Sequence, residues 1–85
     1  VSAIRDLIAA HATVPITDAG QLGDAIRTLR ELRGLTQRQL ARLIHAGPNQ
    51  VSDWETGLTL PGARSLLKLA DALGYQLNLT PKERP

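Results

Sequence analysis

Apolar residues recur along the chain at helical spacing, and turn residues cut the pattern into short segments. Ile4, Leu7 and Ile8 share one face over residues 2–12, with Arg5 and Asp6 elsewhere on the wheel. Residues 13–17, with Pro15, break that helix. Leu22, Ala25, Ile26, Leu29 and Leu32 then form a second stripe up to Arg33. Asp18 with Gln21 three residues on gives it a start resembling a capping box, and Gly34 supplies a left-handed stop. Thr36 and Gln39 open a third helix carrying Leu40, Ala41, Leu43 and Ile44. His45-Ala46-Gly47 reads as a turn. Pro48 suits the first position of the next helix, where its missing N–H costs nothing. That helix carries Val51, Ser52 and Trp54 and ends at Gly57. After a loop held by Pro61, Leu66, Leu69, Ala70 and Leu73 mark a helix over 63–73 that Gly74 ends. Tyr75 to Leu79 alternates apolar and polar, the pattern of a half-buried strand, and Pro81 to Pro85 is a polar tail.

The pattern predicts a mainly α fold of about five helices plus one short C-terminal strand. The chain has 85 residues, room for one small domain. It divides into an N-terminal helix and linker (1–17), a helical domain (18–74) and a strand with tail (75–85). A core this small needs support, and without Cys that support is not a disulfide, which makes oligomerisation the natural remedy. No apolar run approaches the roughly 18 residues of a membrane span, and no basic stretch leads into an apolar leader. The expectation is a soluble cytoplasmic protein without a membrane partner.

Charge adds a location. The net charge is only +2, yet Arg27, Arg30, Arg33, Arg38 and Arg42 stand together with one acid, Glu31. Such a block either meets phosphate or is a solvated helix face. Trp54 and Tyr75 are the only aromatics, too few for a platform on which single-stranded bases stack, so duplex DNA is favoured. Trp54 follows the apolar spacing and reads as core. Catalysis finds no support: there is no Cys nucleophile, no His-Glu-x-x-His and no Gly-x-Ser-x-Gly. Gly57 to Gly62 has the glycine spacing of a phosphate loop but continues Ala63-Arg64, so it fails as one. His11 and His45 lack partners at metal-ligand spacing. A non-enzymatic protein with no cofactor and no metal is expected.

The decisive feature is the pair of short helices around the 45–47 turn. Ala41 is small where the second helix must cross closely, and Val51 and Trp54 face the first helix. Two helices so joined place the later one in the major groove, although ordinary bundles also contain such pairs. Here the residues go further. Leu22-Gly23, Ile26-Arg27, Arg30, Gly34-Leu35-Thr36-Gln37, Leu40-Ala41, Val51-Ser52, Trp54-Glu55, Gly57, Pro61, Leu66, Leu69-Ala70 and Ala72-Leu73-Gly74 resemble the Cro/C1-type (XRE) helix-turn-helix family over about residues 20–75. The resemblance implies a lambda-repressor-like bundle and a transcriptional regulator, usually a dimeric repressor. The chain departs from the family at His45, where a turn Gly is usual, and Gly47 is expected to take up the unusual backbone angle. Gly47 and Pro48 also replace the usual Ser or Thr cap.

Roles follow by position. Asn49 and Gln50 lie in the first turn of the recognition helix, where side chains reach base edges, and either amide can bond bidentately to adenine. Asp53, one turn on, either accepts from cytosine N4 or repels wrong sites, and Pro48 can touch a thymine methyl. Gln37 at the start of the first motif helix is placed to hold a phosphate, with Thr36 mainly a cap. Arg38, Arg27, Ser52, Thr59 and Arg64 are phosphate candidates, each equally readable as solvated surface. The family resemblance implies a partly buried structural ion pair between Arg30 and Glu55.

A lone strand leaves backbone groups unpaired, so Tyr75, Leu77 and Leu79 are expected to pair with a second copy, giving a homodimer on a palindromic operator. An XRE domain followed by Ala-Leu-Gly-Tyr-Gln-Leu-Asn-Leu also resembles the HipB-like antitoxins, which repress their own operon and bind a cognate toxin. A compact phage or plasmid repressor, and an interaction adaptor that has lost DNA binding, are the alternatives.

Overall fold

The computed structural model describes residues 3–82. Residue 2 of the expected first helix and residues 83–85 of the expected tail lie outside them. Among the described residues, five α-helices follow one another: α1 (Ala3–Ala9), α2 (Ala19–Leu32), α3 (Gln37–Leu43), α4 (Pro48–Glu55) and α5 (Ala63–Leu73). Helices α3 and α4 form the helix-turn-helix, and α2 packs across α4. Ile26, Leu40, Ala41, Ile44, Val51, Trp54, Leu69 and Leu73 make the main core. A smaller cluster of Ile4, Ile8 and Ala25, backed by Val14, Leu29 and Tyr75, seals α1 against α2. Two leucines assigned to apolar stripes face solvent instead: Leu32 is 64% exposed and Leu43 58%. Each is the last residue of its helix.

The starts of the helices follow their cap chemistry. Asp18 Oδ1 accepts from Gln21 N at 2.8 Å, but Gln21 Oε1 accepts from Thr17 N and Oγ1 rather than from the Asp18 backbone. The reciprocal half of that box is shifted by one residue. At α3 the box is complete: Gln39 N donates to Thr36 Oγ1 at 3.0 Å, and Thr36 N to Gln39 Oε1 at 2.8 Å.

Each of these helices ends in the same way. The first N–H past the helix cap donates three residues back, and the next N–H donates five back, the pair of bonds known as a Schellman motif. For α2 these are Gly34 N to Glu31 O and Leu35 N to Arg30 O; for α4, Gly57 N to Trp54 O and Leu58 N to Asp53 O; for α5, Gly74 N to Asp71 O and Tyr75 N to Ala70 O. The residue at the bend must adopt positive φ, and Gly34, Gly57 and Gly74 do so without cost. Helices α1 and α3 bend at His11 (φ 56°) and His45 (φ 59°), with Ala12 N to Leu7 O and Ala46 N to Ala41 O closing the motif.

The expectation for Gly47 is thereby corrected. It keeps an ordinary φ of −74° as N-cap of α4, and His45 itself carries the left-handed angle. The position is set by where α3 ends, two residues before Gly47 can help. A non-glycine residue there costs about 1–2 kcal/mol, partly offset by its lower entropy when unfolded. His45→Gly is therefore expected to stabilise the fold by roughly 0.5–1 kcal/mol. Urea unfolding followed by Trp54 fluorescence measures it, and an unchanged or lower midpoint contradicts the strain.

Residues 75–82 have no regular secondary structure in the single chain, so the expected strand at Tyr75–Leu79 does not form there. An alternating segment supplies a face but no pairing partner, and within one copy no neighbouring strand is at hand among the described residues.

Candidate nucleic-acid interface

Helix α4 presents its candidate recognition side chains because its other side is anchored. Val51 and Trp54 are buried against α3 and α2, which turns Pro48, Asn49 and Gln50 outward into solvent. Pro48 is the first residue of the helix, as its fixed φ favours. Asn49 is exposed. Gln50 differs. Its Oε1 accepts from Gly47 N at 2.9 Å, the half of a capping box that the third helical residue supplies, while Gly47 has no side chain to supply the half a Ser or Thr would give. That bond spends part of its acceptor capacity, and what Gln50 chiefly offers outward is its amide N–H. The two amides, equivalent by sequence, thus differ in what they leave free.

Asp53 and Ser52 are half-buried one turn on. The Asp53 carbonyl receives Leu58 N at 2.9 Å and Thr59 N at 3.3 Å, which folds the loop back on the helix end and positions Thr59, itself exposed. Arg38 is exposed in the first turn of α3 and Arg64 in the first turn of α5. Arg27 joins a different group. It lies 3.7 Å from Glu31, which also takes Arg5 at 3.0 Å from α1. Arg27 thus shares its charge with a carboxylate, whereas Arg38 has no such neighbour among the described ion pairs.

Beneath this surface lies a buried charge network. Arg30 Nε and Nη2 donate to Glu55 Oε2 and Oε1 at 2.6 and 3.0 Å, a two-pronged pair with side chains 12% and 3% exposed. Arg30 Nη1 donates to Leu35 O at 2.8 Å. Gln37 Nε2 donates to Glu55 Oε1 at 2.9 Å. One carboxylate therefore joins α2, the α2–α3 turn, α3 and α4. The hydrogen bond to Glu55 raises the Arg30 pKa against the opposing effect of burial, so the guanidinium stays charged. The pair was implied by the family resemblance; the seats of Gln37 and Leu35 O in it were not. Gln37 keeps its place at the head of α3, with its amide held by Glu55 rather than swinging freely.

A second feature escaped the sequence reading. A Cβ on Gly23 would lie 2.5 Å from Glu55 O and 2.6 Å from Trp54 O. The close crossing anticipated at Ala41 thus has a tighter counterpart, where α2 meets the end of α4. The available signal was a glycine in mid-helix, a costly residue there unless a neighbouring backbone needs the space.

Similarity to known proteins agrees with this arrangement. A family model described as "Helix-turn-helix" matches residues 26–79. The chain is 39% identical over 56 residues to "Multiprotein-bridging factor 1" of Candida albicans, covering 66% of this chain and 37% of that protein. It therefore spans well under half the length of that relative. Among solved structures, the clp gene regulator ClgR from Corynebacterium glutamicum superposes with a TM-score of 0.66 at 30% identity, over 75% of this chain and 67% of that one. A single-substitution variant of HipB, in a complex with an O2 20mer, superposes with a TM-score of 0.72 at 22% identity, over 85% of this chain and all of that one, and so shares the fold. With the motif helices, their caps and the Arg30–Glu55 tie all in place, the chain belongs to the Cro/C1-type (XRE) helix-turn-helix family.

Proposed function

We propose that this chain is a sequence-specific double-stranded DNA-binding regulator, a non-enzymatic cytoplasmic repressor that acts as a homodimer on a palindromic operator. The observation that carries the reading is Asn49, exposed in the first turn of a helix whose opposite side is locked by Val51, Trp54 and Glu55. Asn49 reads adenine, Gln50 adds a donor, Pro48 meets a thymine methyl and Asp53 accepts from cytosine. Gln37, Thr36 and Arg38 at the head of α3 hold one phosphate run, and Ser52, Thr59 and Arg64 hold another. Arg27, already beside Glu31, contributes least. The two-fold operator follows from pairing of Tyr75, Leu77 and Leu79 between copies. Within this reading, autorepression as the antitoxin of a toxin pair draws support from the fold shared with HipB. A phage or plasmid repressor would use the same surface.

A second reading has its own support. A relative named "Multiprotein-bridging factor 1" suggests a domain that joins proteins. Salt separates the two, because phosphate contacts release counterions and DNA affinity falls steeply as salt rises. Duplexes selected from a random pool are titrated by fluorescence anisotropy across a salt series. Asn49→Ala is expected to cost about 1–3 kcal/mol and relax selectivity at one base pair, whereas Arg38→Ala weakens every duplex alike and lowers the salt slope by about one. Flat salt dependence, or no duplex binding at low salt, favours the adaptor. Indistinguishable selectivity profiles for the two variants overturn the division of roles.

A further inference from the structure

Helix α1 lies outside the residues matched by the family model, yet it is firmly attached. Ile4 and Ile8 pack on Ala25 and Leu29, and Arg5 reaches Glu31 on α2. Together with α2 and α5 it encloses a groove of about 430 Å³ whose lining includes Ile8, Leu29, Leu32, Leu73 and Tyr75. Arg33, the charged residue of that lining, has its guanidinium over Gly74 at the end of α5, where a helix C-terminus favours a cation.

The chain leaves the groove at Tyr75. Two and four residues later come Leu77, 50% exposed, and Leu79, fully exposed. At a period of two, Tyr75, Leu77 and Leu79 fall on one face of an extended segment. One chain thus carries an apolar groove and, directly joined to it, an apolar segment that does not fill it. Tyr75 itself forms part of the wall, whereas Leu77 and Leu79 are not among the groove's lining residues. A two-fold axis resolves both halves at once, since each copy receives what it donates.

We propose that a second copy of this chain seats Leu77 and Leu79 in the groove between α1, α2 and α5, and that α1 supplies one wall of this docking site. The inference rests on the dimer reading above and names the surface that accepts the segment. It also gives α1 a role that the helix-turn-helix does not require.

The natural chain has no Cys, so single cysteines report cleanly. Leu79→Cys protein is mixed with Leu32→Cys protein under mild oxidation. Leu32 stands at the groove and Leu79 on the segment, both exposed in the single copy, so neither change disturbs the core. A disulfide joining the two different variants is expected. Disulfides only between identical Leu79→Cys chains, or none at all, overturn the proposal. Sedimentation of Leu79→Asp, with folding checked by circular dichroism, is expected to show dimerisation weakened by about tenfold or more. An unchanged dimer overturns it too. A wild type that stays monomeric yet binds duplex removes the groove and leaves DNA binding standing. The expected cross-link in a protein that ignores duplex does the reverse.

Discussion

Glu55→Ala is expected to cost about 3–5 kcal/mol of folding stability, the largest effect of any single change at the motif. The reason is the charge left behind. Arg30 is 12% exposed and makes two of its three hydrogen bonds to Glu55. Without the carboxylate, its guanidinium stays buried with Leu35 O alone. Gln37 loses its only described partner at the same time. A domain of this size has about 5–15 kcal/mol in total, so a large part of the margin disappears. Because the penalty belongs to the orphaned charge, removing both charges together should recover much of it. Arg30→Met combined with Glu55→Leu is therefore expected to be clearly more stable than Glu55→Ala alone. Thermal and urea unfolding of the three proteins checks this ordering. A wild-type-like midpoint for Glu55→Ala would show that the pair is not a structural tie.

Gly23→Ala is expected to destabilise by about 1–3 kcal/mol, against the sign that helix propensity assigns. In an open helix interior the same change gains about 1 kcal/mol. At Gly23 the new methyl would meet two backbone carbonyl oxygens of α4, and a backbone cannot rotate aside as a side chain can. The helices must separate, and the motion is passed to α4, the element that carries Asn49. DNA affinity should therefore fall along with stability. Gly20→Ala is the internal control. Its Cβ would meet only Asp18 Oδ1, at 3.4 Å, so neutrality or a gain of up to about 1 kcal/mol is expected. Opposite signs from one substitution at two glycines of the same helix would establish the crossing as the cause. A stabilised Gly23→Ala would show instead that α2 and α4 can part freely.

Much of the candidate site was legible because it depends on local chemistry. Thr36 with Gln39, Pro48 after Gly47, and Asp18 with Gln21 each mark a helix start through groups a few residues apart. Arg30 and Glu55 emerged from family resemblance. The bond from Gly47 N to Gln50 Oε1 was not legible because an exposed amide and a capping amide look alike in sequence. Which it is depends on whether Gly47 offers its N–H at the right angle. Arg27 and Arg38 were equivalent for the same reason: only folding brings Arg5 across to Glu31 and draws Arg27 into that group.

By itself the sequence determined the number of helices, their order, the residues that open them and the greater part of each apolar face, since these follow from residue spacing and from groups within one turn of each other. It also marked Gly34, Gly57 and Gly74 as stops. Only the tertiary structure decided that His11 and His45 would bend to positive φ, that Gly23 would lie against the α4 backbone, and that Gln37 would be held by Glu55. It likewise left Leu32, Leu77 and Leu79 facing outward. The physical reason is common to all of these. Each depends on the distance between elements far apart in the chain, and that distance is set by the packing of the whole core, which no local pattern encodes.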